Sequence, residues 1–544
     1  MKKISGILIA LTIVTFLGGF LRLYKIVENP PSLTGDEISF GYSAYSILKT
    51  GKDEYGNFMP LAFKSVGDYK NPFPVYLLVL PIKFLGLSDL TVRLPNALIG
   101  ILAIPIFFLF LKDILKDKKI ALLGSFLLSI SAWHIFYSRF AYEPLMASTF
   151  VMLGIWFFIK MLNGRYFWGI FSAIFLILTM YTAFAPRLFV PVFIFSTLVF
   201  NFSNFKKNPG KFLVFILSCV ILSLPLAYSS IFGEAGTRFS MVFLGGDIEF
   251  SRYILLKNFQ SLGDIPLLVL FWLKRYLNYL QPDFIFFSGL NMTHPGTIGL
   301  GMLYLFELPW LLLGIAQLIK LKIQNKQIII IWLLTGILPD SLTNNQQHTG
   351  RLLHMVPVVL LITTLGAVEF FKWIKRLHHT NTRIFISAFF IIFTFLISTH
   401  AILTFAVHFP IARGQFFDEG IREAVIYVRN NQTNYKEIVI DARRGTDGPF
   451  IVINPHMSLL FYLKYDPHTY QTEPRIFGTP DKPFYNFNKY TIRNIDWTED
   501  RSQKGVLFIG APWSFPESSL KEGELLKKIY MTSGDPAYFI VSPR

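Results

Sequence analysis

The chain carries little charge and almost no cysteine. Charged residues make up 16% of its 544 residues, whereas a soluble domain carries about 25%. The one cysteine, Cys219, lies within an apolar run. A disulfide framework and a thiolate metal cluster are therefore both excluded, and Cys219 is expected to be a small buried apolar residue.

Apolar residues are abundant instead. Hydrophobic residues account for 53% and aromatic residues for 17% of the chain, and the mean hydropathy is +0.47. A single aqueous core cannot hide this much apolar surface, so the composition predicts a polytopic α-helical membrane protein. The net charge is +17. Cytoplasmic loops of membrane proteins collect Lys and Arg and explain such a charge, and a positively charged site for an anionic lipid can contribute to it. We expect membrane lipids and no nucleic acid as partners.

Eleven apolar runs are candidate membrane spans, since about 20 apolar residues at a rise of 1.5 Å cross a bilayer core. The runs cover residues 4–21, 93–111, 120–137, 145–160, 167–184, 187–200, 212–230, 299–318, 327–339, 352–371 and 384–406.

The loop charges support this count. If the N-terminus lies in the cytoplasm, every second loop between the spans is cytoplasmic and should be basic. These loops are indeed all basic: KDILKDKK, KMLNGR, NFSNFKKNPGK, KLKIQNK and KWIKRLHHTNTR. Two further apolar segments, 72–87 with three prolines and 265–280 with Lys274 and Arg275, are expected to lie in the outer interface. This topology predicts a multi-pass plasma-membrane protein whose main outer loops are 22–92 and 231–298.

The composition becomes more polar after Ala406. An amphipathic helix pattern in FFDEGIREAVIYVRNN precedes strand-like runs in EIVIDAR, GVLFIGA and AYFIVSP. We predict a membrane module over residues 1–407 and a soluble extracytoplasmic α/β domain over residues 408–544.

Two adjacent carboxylates, Asp36 and Glu37, follow the first span in NPPSLTGDEISFGYSAYSIL. A charge at the outer water interface avoids the cost of burial in lipid, and a carboxylate there can take a proton from a hydroxyl group. The structural alternative is that Thr34 or Asp36 caps the following helix while Glu37 favours its first turn. The two interpretations are compatible.

A second candidate acid, Glu143, occurs in SRFAYEP. It also resembles a helix start, because Pro144 follows it, and pairing with Arg139 would make it structural. Repeated arginines at outer helix ends oppose the inside preference of basic residues. They predict either bidentate binding of a phosphate or snorkelling and pairing between helices. The candidate phosphate-binding residues are Arg93, Arg139, Arg187 and Arg351.

A polar, glycine-containing segment leads back into the membrane after the second long outer loop. Asp283, Asn291 and His294 are expected either to line the site or to belong to a structured re-entry loop. His294, His348 and His354 can in principle join a carboxylate at a divalent ion, but the sequence has no close His-x-x-His spacing. No metal ligand set is predicted, and no cofactor is required, although a divalent metal remains possible.

The order of these motifs resembles the GT-C membrane glycosyltransferases. The resemblance rests on the Asp-Glu pair, on YKNPFPVYLLVLPIKFLGLSDLTVRLPNALIG and on YSRFAYEPL, all within the first 150 residues, with similar runs later at FIFFSG and RLLHMVP. It is strongest to the protein O-mannosyltransferase-like branch and to the lipid A aminoarabinose transferase-like (Rgt-type) branch. It implies Asp36 as the base, a polyprenyl- or dolichyl-phosphate sugar as donor, and Glu143 at a position where relatives often carry Asp.

The sequence therefore predicts an inverting hexosyl- or pentosyltransferase of the cell envelope. It would move a sugar from a polyprenyl-phosphate donor to a hydroxyl group of a protein, lipid or glycan at the outer membrane face. The alternatives are a lipid-linked sugar flippase or transporter, and an oligosaccharide polymerase or ligase with a lipid-diphosphate donor.

Overall fold

The computed structural model describes residues 6–65, 68–233, 252, 265–290, 299–320, 323, 325–343, 347–445, 450–451, 455–479 and 482–543. The chain divides into two compact units, one formed by residues 1–24 and 96–404 and the other by residues 25–95 and 405–544. The segment that follows the first span, residues 25–95, contains Asp36 and Glu37 and is called the acidic loop below; it thus groups with the C-terminal region. The predicted module boundary near residue 407 followed composition along the chain and stays a prediction.

The first unit is helical. Its helices are α1 (Gly6–Leu23), most of α4 (Asp89–Leu115), α5 (Lys118–Ile130), α6 (Ala132–Ser138), α7 (Glu143–Asn163), α8 (Phe167–Thr182), α9 (Ala185–Phe200), α10 (Phe202–Lys207), α11 (Pro209–Phe232), α12 (Ile265–Asn278), α13 (Leu308–Lys320), α14 (Lys326–Thr335), α15 (Leu338–Ser341), α16 (Val356–Arg376) and α17 (Thr380–Leu403).

Each predicted span falls on helical structure, with differences in extent. The third is broken, since α5 and α6 meet at an angle of 54°, and the eighth begins only near Leu308. Within the described ranges, six helices are long and apolar enough to cross a bilayer, or seven if the bent pair is one span. The fold class is as predicted, whereas the count of eleven stays a prediction.

The second unit combines the acidic loop with the C-terminal region. Its helices are α2 (Gly35–Thr50), α3 (Pro72–Leu85), the start of α4, α18 (Phe409–Arg413), α19 (Ile421–Asn431), α20 (Pro455–Leu463), α21 (Pro467–Thr472) and α22 (Trp497–Asp500). Its strands are β1 (Phe63–Ser65), β2 (Asp68–Lys70), β3 (Glu437–Asp441), β4 (Arg443–Arg444), β5 (Phe450–Ile451), β6 (Arg475–Thr479), β7 (Lys482–Phe487), β8 (Tyr490–Arg493), β9 (Val506–Gly510), β10 (Leu525–Tyr530) and β11 (Pro536–Val541).

Seven strands form one mixed sheet in the order β10-β11-β9-β3-β8-β7-β6. The central strand β3 runs parallel to β8 and β9, and its apolar face packs into a core that includes Val439, Phe508 and Trp497. The predicted helix and the three predicted strand-like runs correspond to α19, β3, β9 and β11. The segments expected at the membrane interface are helical, as α3 and α12; their place at the interface stays a prediction.

Candidate active site

Helix α2 begins with a capping box. Thr34 has an extended backbone, its hydroxyl accepts from the Glu37 backbone N–H at 3.2 Å, and the Glu37 carboxylate accepts from the Thr34 N–H at 2.9 Å. This reciprocal arrangement satisfies two N–H groups that a helix start leaves without partners. Of the two predicted caps, Thr34 is therefore the one observed.

Asp36 occupies the first turn of the same helix and points away from the core. Its side chain is 61% exposed, and its Oδ1 lies 2.7 Å from the Nζ of Lys70. The side chain of Lys70, at the end of β2, is only 6% exposed. The cation thus reaches the exposed carboxylate from a buried position. Sequence reasoning missed Lys70, although it lies in the run YKNPFP that carries the family resemblance.

Glu37, in contrast to Asp36, is buried, and it is paired with Arg93. The Nε of Arg93 donates to Glu37 Oε1 at 3.0 Å, and neither side chain is more than 1% exposed. The guanidinium also donates to the carbonyls of Ile26 and Pro30, each at 2.8 Å, and to that of Ser32.

Arg93 therefore satisfies the backbone of the loop that leads into α2. A phosphate could bind Arg93 only if these hydrogen bonds were broken. In this structure, Arg93 and Glu37 hold the acidic loop together. Their predicted roles in phosphate binding and catalysis stay predictions.

Arg139 likewise bonds to backbone. It is 4% exposed and donates to the carbonyls of Leu21 and Tyr24 at 2.9 and 2.7 Å. These carbonyls lie at the C-terminal end of α1, where helix geometry leaves them without internal donors. Arg139 thus caps α1, and its predicted role in phosphate binding stays a prediction.

Arg22, near the end of α1, donates hydrogen bonds to the backbone of α5. Its guanidinium donates to the carbonyls of Ser129 and Leu128 at 3.0 and 3.1 Å, which lie just before the break between α5 and α6. Together, Arg22 and Arg139 hold α1 to the bent helix pair.

The other predicted residues of the first unit lie at helix ends. Glu143 is the first residue of α7, with Pro144 in the first turn, so the predicted helix start is confirmed. Arg187 donates to the Met180 carbonyl at 3.2 Å, and its guanidinium lies 4.5 Å from the centre of the Phe184 ring.

Arg351 lies beside a buried carboxylate. Its Nη1 is 3.2 Å from Asp340 Oδ1 and donates to Thr343 Oγ1 at 2.7 Å. Asp340 is fully buried, whereas the side chain of Arg351 is 22% exposed. Sequence reasoning did not single out Asp340, which is the first residue of the polar run DSLTNNQQHTG.

Asp283 is exposed and accepts from Ser288 Oγ at 2.6 Å. Asn291 and His294 lie outside the described residues. Both ring nitrogens of His354 lie within hydrogen-bond distance of carbonyl oxygens, those of Arg351 and Gly336. Among the residues that the structure describes, no group of three or more His, Cys, Asp or Glu side chains could hold a metal ion.

The structure thus brings Asp36, Glu37 and Arg93 together in the second unit and adds Lys70 to them. Arg139, Glu143, Arg187, Arg351 and Asp283 all belong to the first unit.

Comparisons with known proteins agree with this architecture. Residues 12–232 match the sequence profile of the family described as dolichyl-phosphate-mannose-protein mannosyltransferase. The crystal structure of ArnT from Cupriavidus metallidurans in the apo state aligns with a TM-score of 0.54 at 10% identity, over 98% of this chain and 97% of that one. The same protein bound to undecaprenyl phosphate aligns with a TM-score of 0.51 at 11% identity, with the same coverage. Among proteins of curated function, no sequence match is significant.

The fold is therefore that of ArnT, with a helical membrane part and a C-terminal sheet domain. Family profile and fold confirm the predicted resemblance to the GT-C membrane glycosyltransferases. The protein is an enzyme of the glycosyltransferase class.

Proposed function

We propose that the protein is an inverting glycosyltransferase that moves a sugar from a polyprenyl-phosphate donor to a hydroxyl acceptor at the outer membrane face. The observation that carries this proposal is the exposed Asp36 carboxylate at the start of α2, with the ammonium group of Lys70 at 2.7 Å. The donor class is supported by the family profile and by the undecaprenyl phosphate bound to the structurally similar ArnT.

In the proposed reaction, Asp36 takes the proton of the acceptor hydroxyl as its oxygen attacks the anomeric carbon. The bond between that carbon and the phosphate oxygen breaks, and the polyprenyl phosphate leaves with the bonding electrons. One displacement inverts the anomeric configuration. Fixed positive charge stabilises the negative charge that develops on the leaving phosphate, and Lys70, which lies beside Asp36, is the candidate to supply it. Phosphate binding by Arg187 and Arg351 stays a prediction.

The reaction needs no metal for its proton transfer, because the base is a carboxylate and the leaving group is a phosphate anion. We place the active site and the C-terminal domain outside the cytoplasm and the N-terminus inside, in keeping with the alternating basic loops. Protein, lipid and glycan hydroxyls remain alternative acceptors for this chemistry.

The test is transfer from radiolabelled polyprenyl-phosphate sugars in membranes that contain wild type or Asp36→Asn. We expect a loss of about 10²-fold or more, because loss of a general base costs on the order of 10²–10⁴-fold. Glu28→Gln is a matched control, since Glu28 is an exposed carboxylate in the same loop, and it should transfer normally.

Near-normal transfer by correctly inserted Asp36→Asn would exclude Asp36 as the base. If vesicles instead showed movement of the lipid-linked sugar across the bilayer without transfer, the flippase alternative would hold. If only a lipid-diphosphate donor were used, the polymerase or ligase alternative would hold.

A further inference from the structure

The C-terminal domain contacts the helix that carries Asp36. A Cβ atom at Gly41 would lie 2.5 Å from the Phe461 ring of α20 and 2.8 Å from Val92 of α4. These distances are closer than a carbon–carbon contact allows, so only glycine lets the three helices approach this closely. One residue on, the Tyr42 hydroxyl donates to the Tyr465 carbonyl at 3.2 Å.

The far end of the helix is held by one side chain of α21. The amide nitrogen of Gln471 lies 3.0 Å from Ser46 Oγ, 3.0 Å from Thr50 Oγ1 and 2.7 Å from the Asp53 carbonyl. Both hydroxyls already donate elsewhere, Ser46 to the Lys52 carbonyl and Thr50 to the Ser46 carbonyl. They therefore act as acceptors for Gln471, which is the donor that joins the last turn of α2 to the loop beyond it.

The residues after the helix are tied to the same part of the domain. Arg475 donates to the Glu54 carbonyl at 2.9 Å, and its guanidinium lies 4.7 Å from the centre of the Tyr470 ring. The Glu54 carboxylate is 1% exposed and accepts from Ser43 Oγ at 2.9 Å. Segment 461–475 thus contacts α2 along most of its length and the turn that follows it.

We propose that segment 461–475 holds α2 in the orientation that presents Asp36 to the acceptor, and that Gln471 is a positioning residue for the transfer reaction. This proposal rests on the function proposed above, in which Asp36 is the base.

The position of the Asp36 carboxylate is sensitive to small tilts of α2. Ser46 lies ten residues after Asp36, and at 1.5 Å per residue the two are about 15 Å apart along the helix. A tilt of about 4° at the Gln471 end therefore moves Asp36 by about 1 Å. A displacement of about 1 Å caused by a distant mutation can reduce the rate by about 10²-fold, so Gln471 can affect transfer without contacting substrate.

The experiment uses the full-length protein in membranes and compares wild type with Gln471→Met, which keeps the length of the side chain and removes its donors. We expect kcat to fall by about tenfold or more while the donor KM stays within about twofold. His468→Ala, an exposed position on the same short helix, is the matched control and should retain wild-type kcat. The double variant of Ser46→Ala and Thr50→Val removes the two acceptors that α2 offers to Gln471 and should reproduce the loss of kcat. It keeps the proposal testable if Gln471→Met folds poorly.

The decisive measurement is the residual transfer activity of the double variant Asp36→Asn/Gln471→Met, compared with that of Asp36→Asn alone. If Gln471 acts through Asp36, its substitution should change the residual transfer of Asp36→Asn by less than about twofold, because residues that act as a unit are non-additive. An equal fold loss in both backgrounds would show a general structural defect and overturn the proposal, as would a wild-type kcat for Gln471→Met. Near-normal transfer by Asp36→Asn alone would instead exclude Asp36 as the base, the assignment on which this proposal rests.

Discussion

The ammonium group of Lys70 lies 2.7 Å from the carboxylate of Asp36, and the two partners differ tenfold in exposure, at 6% and 61%. Surface ion pairs contribute little because water screens both partners. Here the cation is anchored in the protein and only the carboxylate faces solvent. This asymmetry is what a site needs if the carboxylate has to meet a substrate while its partner stays in place.

Lys70→Met should lower kcat for transfer by about 10-fold or more, because it removes a fixed positive charge from the proposed centre of proton transfer and phosphate departure. Lys70→Arg should retain part of the activity, since it keeps the charge and changes its geometry. The measurement is steady-state transfer with saturating acceptor. Lys64→Met serves as control, because Lys64 is an exposed lysine of the neighbouring strand; activity of Lys70→Met at the wild-type level would remove Lys70 from the site.

Glu37→Gln and Arg93→Met should each destabilise the protein by about 3–5 kcal/mol, because each leaves the other member of a buried pair uncompensated. The two substitutions should not be additive when combined. The measurement is the shift in thermal unfolding of purified protein.

A comparison pair lies in the same unit. The Nζ of Lys528 and the Oε1 of Glu517 are 2.6 Å apart, and their side chains are 32% and 65% exposed, so Lys528→Met should leave the unfolding temperature nearly unchanged. Equal shifts for Arg93→Met and Lys528→Met would contradict the role of Arg93 in holding the acidic loop.

Burial raises the pKa of Glu54 to about 8 from its usual value of 4.5. Between these two values the unfolded chain has lost the proton that the folded protein keeps, so the stability of the fold should fall as pH rises from about 4.5 to about 8 and level off above. Glu54→Gln should flatten this part of the profile, because an amide does not titrate. Thermal unfolding temperatures measured across this range test the prediction, which fails if wild type and variant show the same slope.

Local features of the chain could be predicted well from its sequence. The apolar runs correspond to helices because hydrophobicity and length act over a single segment. The capping box formed by Thr34 and Glu37 is also local, since its two members stand three residues apart and need only a helix start between them. The same reasoning recovered α19, β3, β9 and β11 in the C-terminal domain.

Which charged groups meet was decided by the tertiary structure. Arg93 and Arg139 were predicted from their place in the sequence to bind phosphate, yet their guanidinium groups donate to backbone carbonyls 61 or more residues away along the chain. The spacing of residues could not reveal these hydrogen bonds, because every residue has a backbone carbonyl and the sequence does not show which carbonyls lack a donor in the fold.

The adjacent carboxylates Asp36 and Glu37 show most clearly what the sequence determines and what the tertiary structure decides. The sequence by itself determined that Asp36 and Glu37 stand at a helix start that follows the first candidate membrane span along the chain. Only the tertiary structure turned Glu37 inward to Arg93 and left Asp36 exposed beside Lys70. The physical reason is that a helix start sets adjacent side chains about 100° apart around its axis, and the packing around the helix then decides which of them is buried.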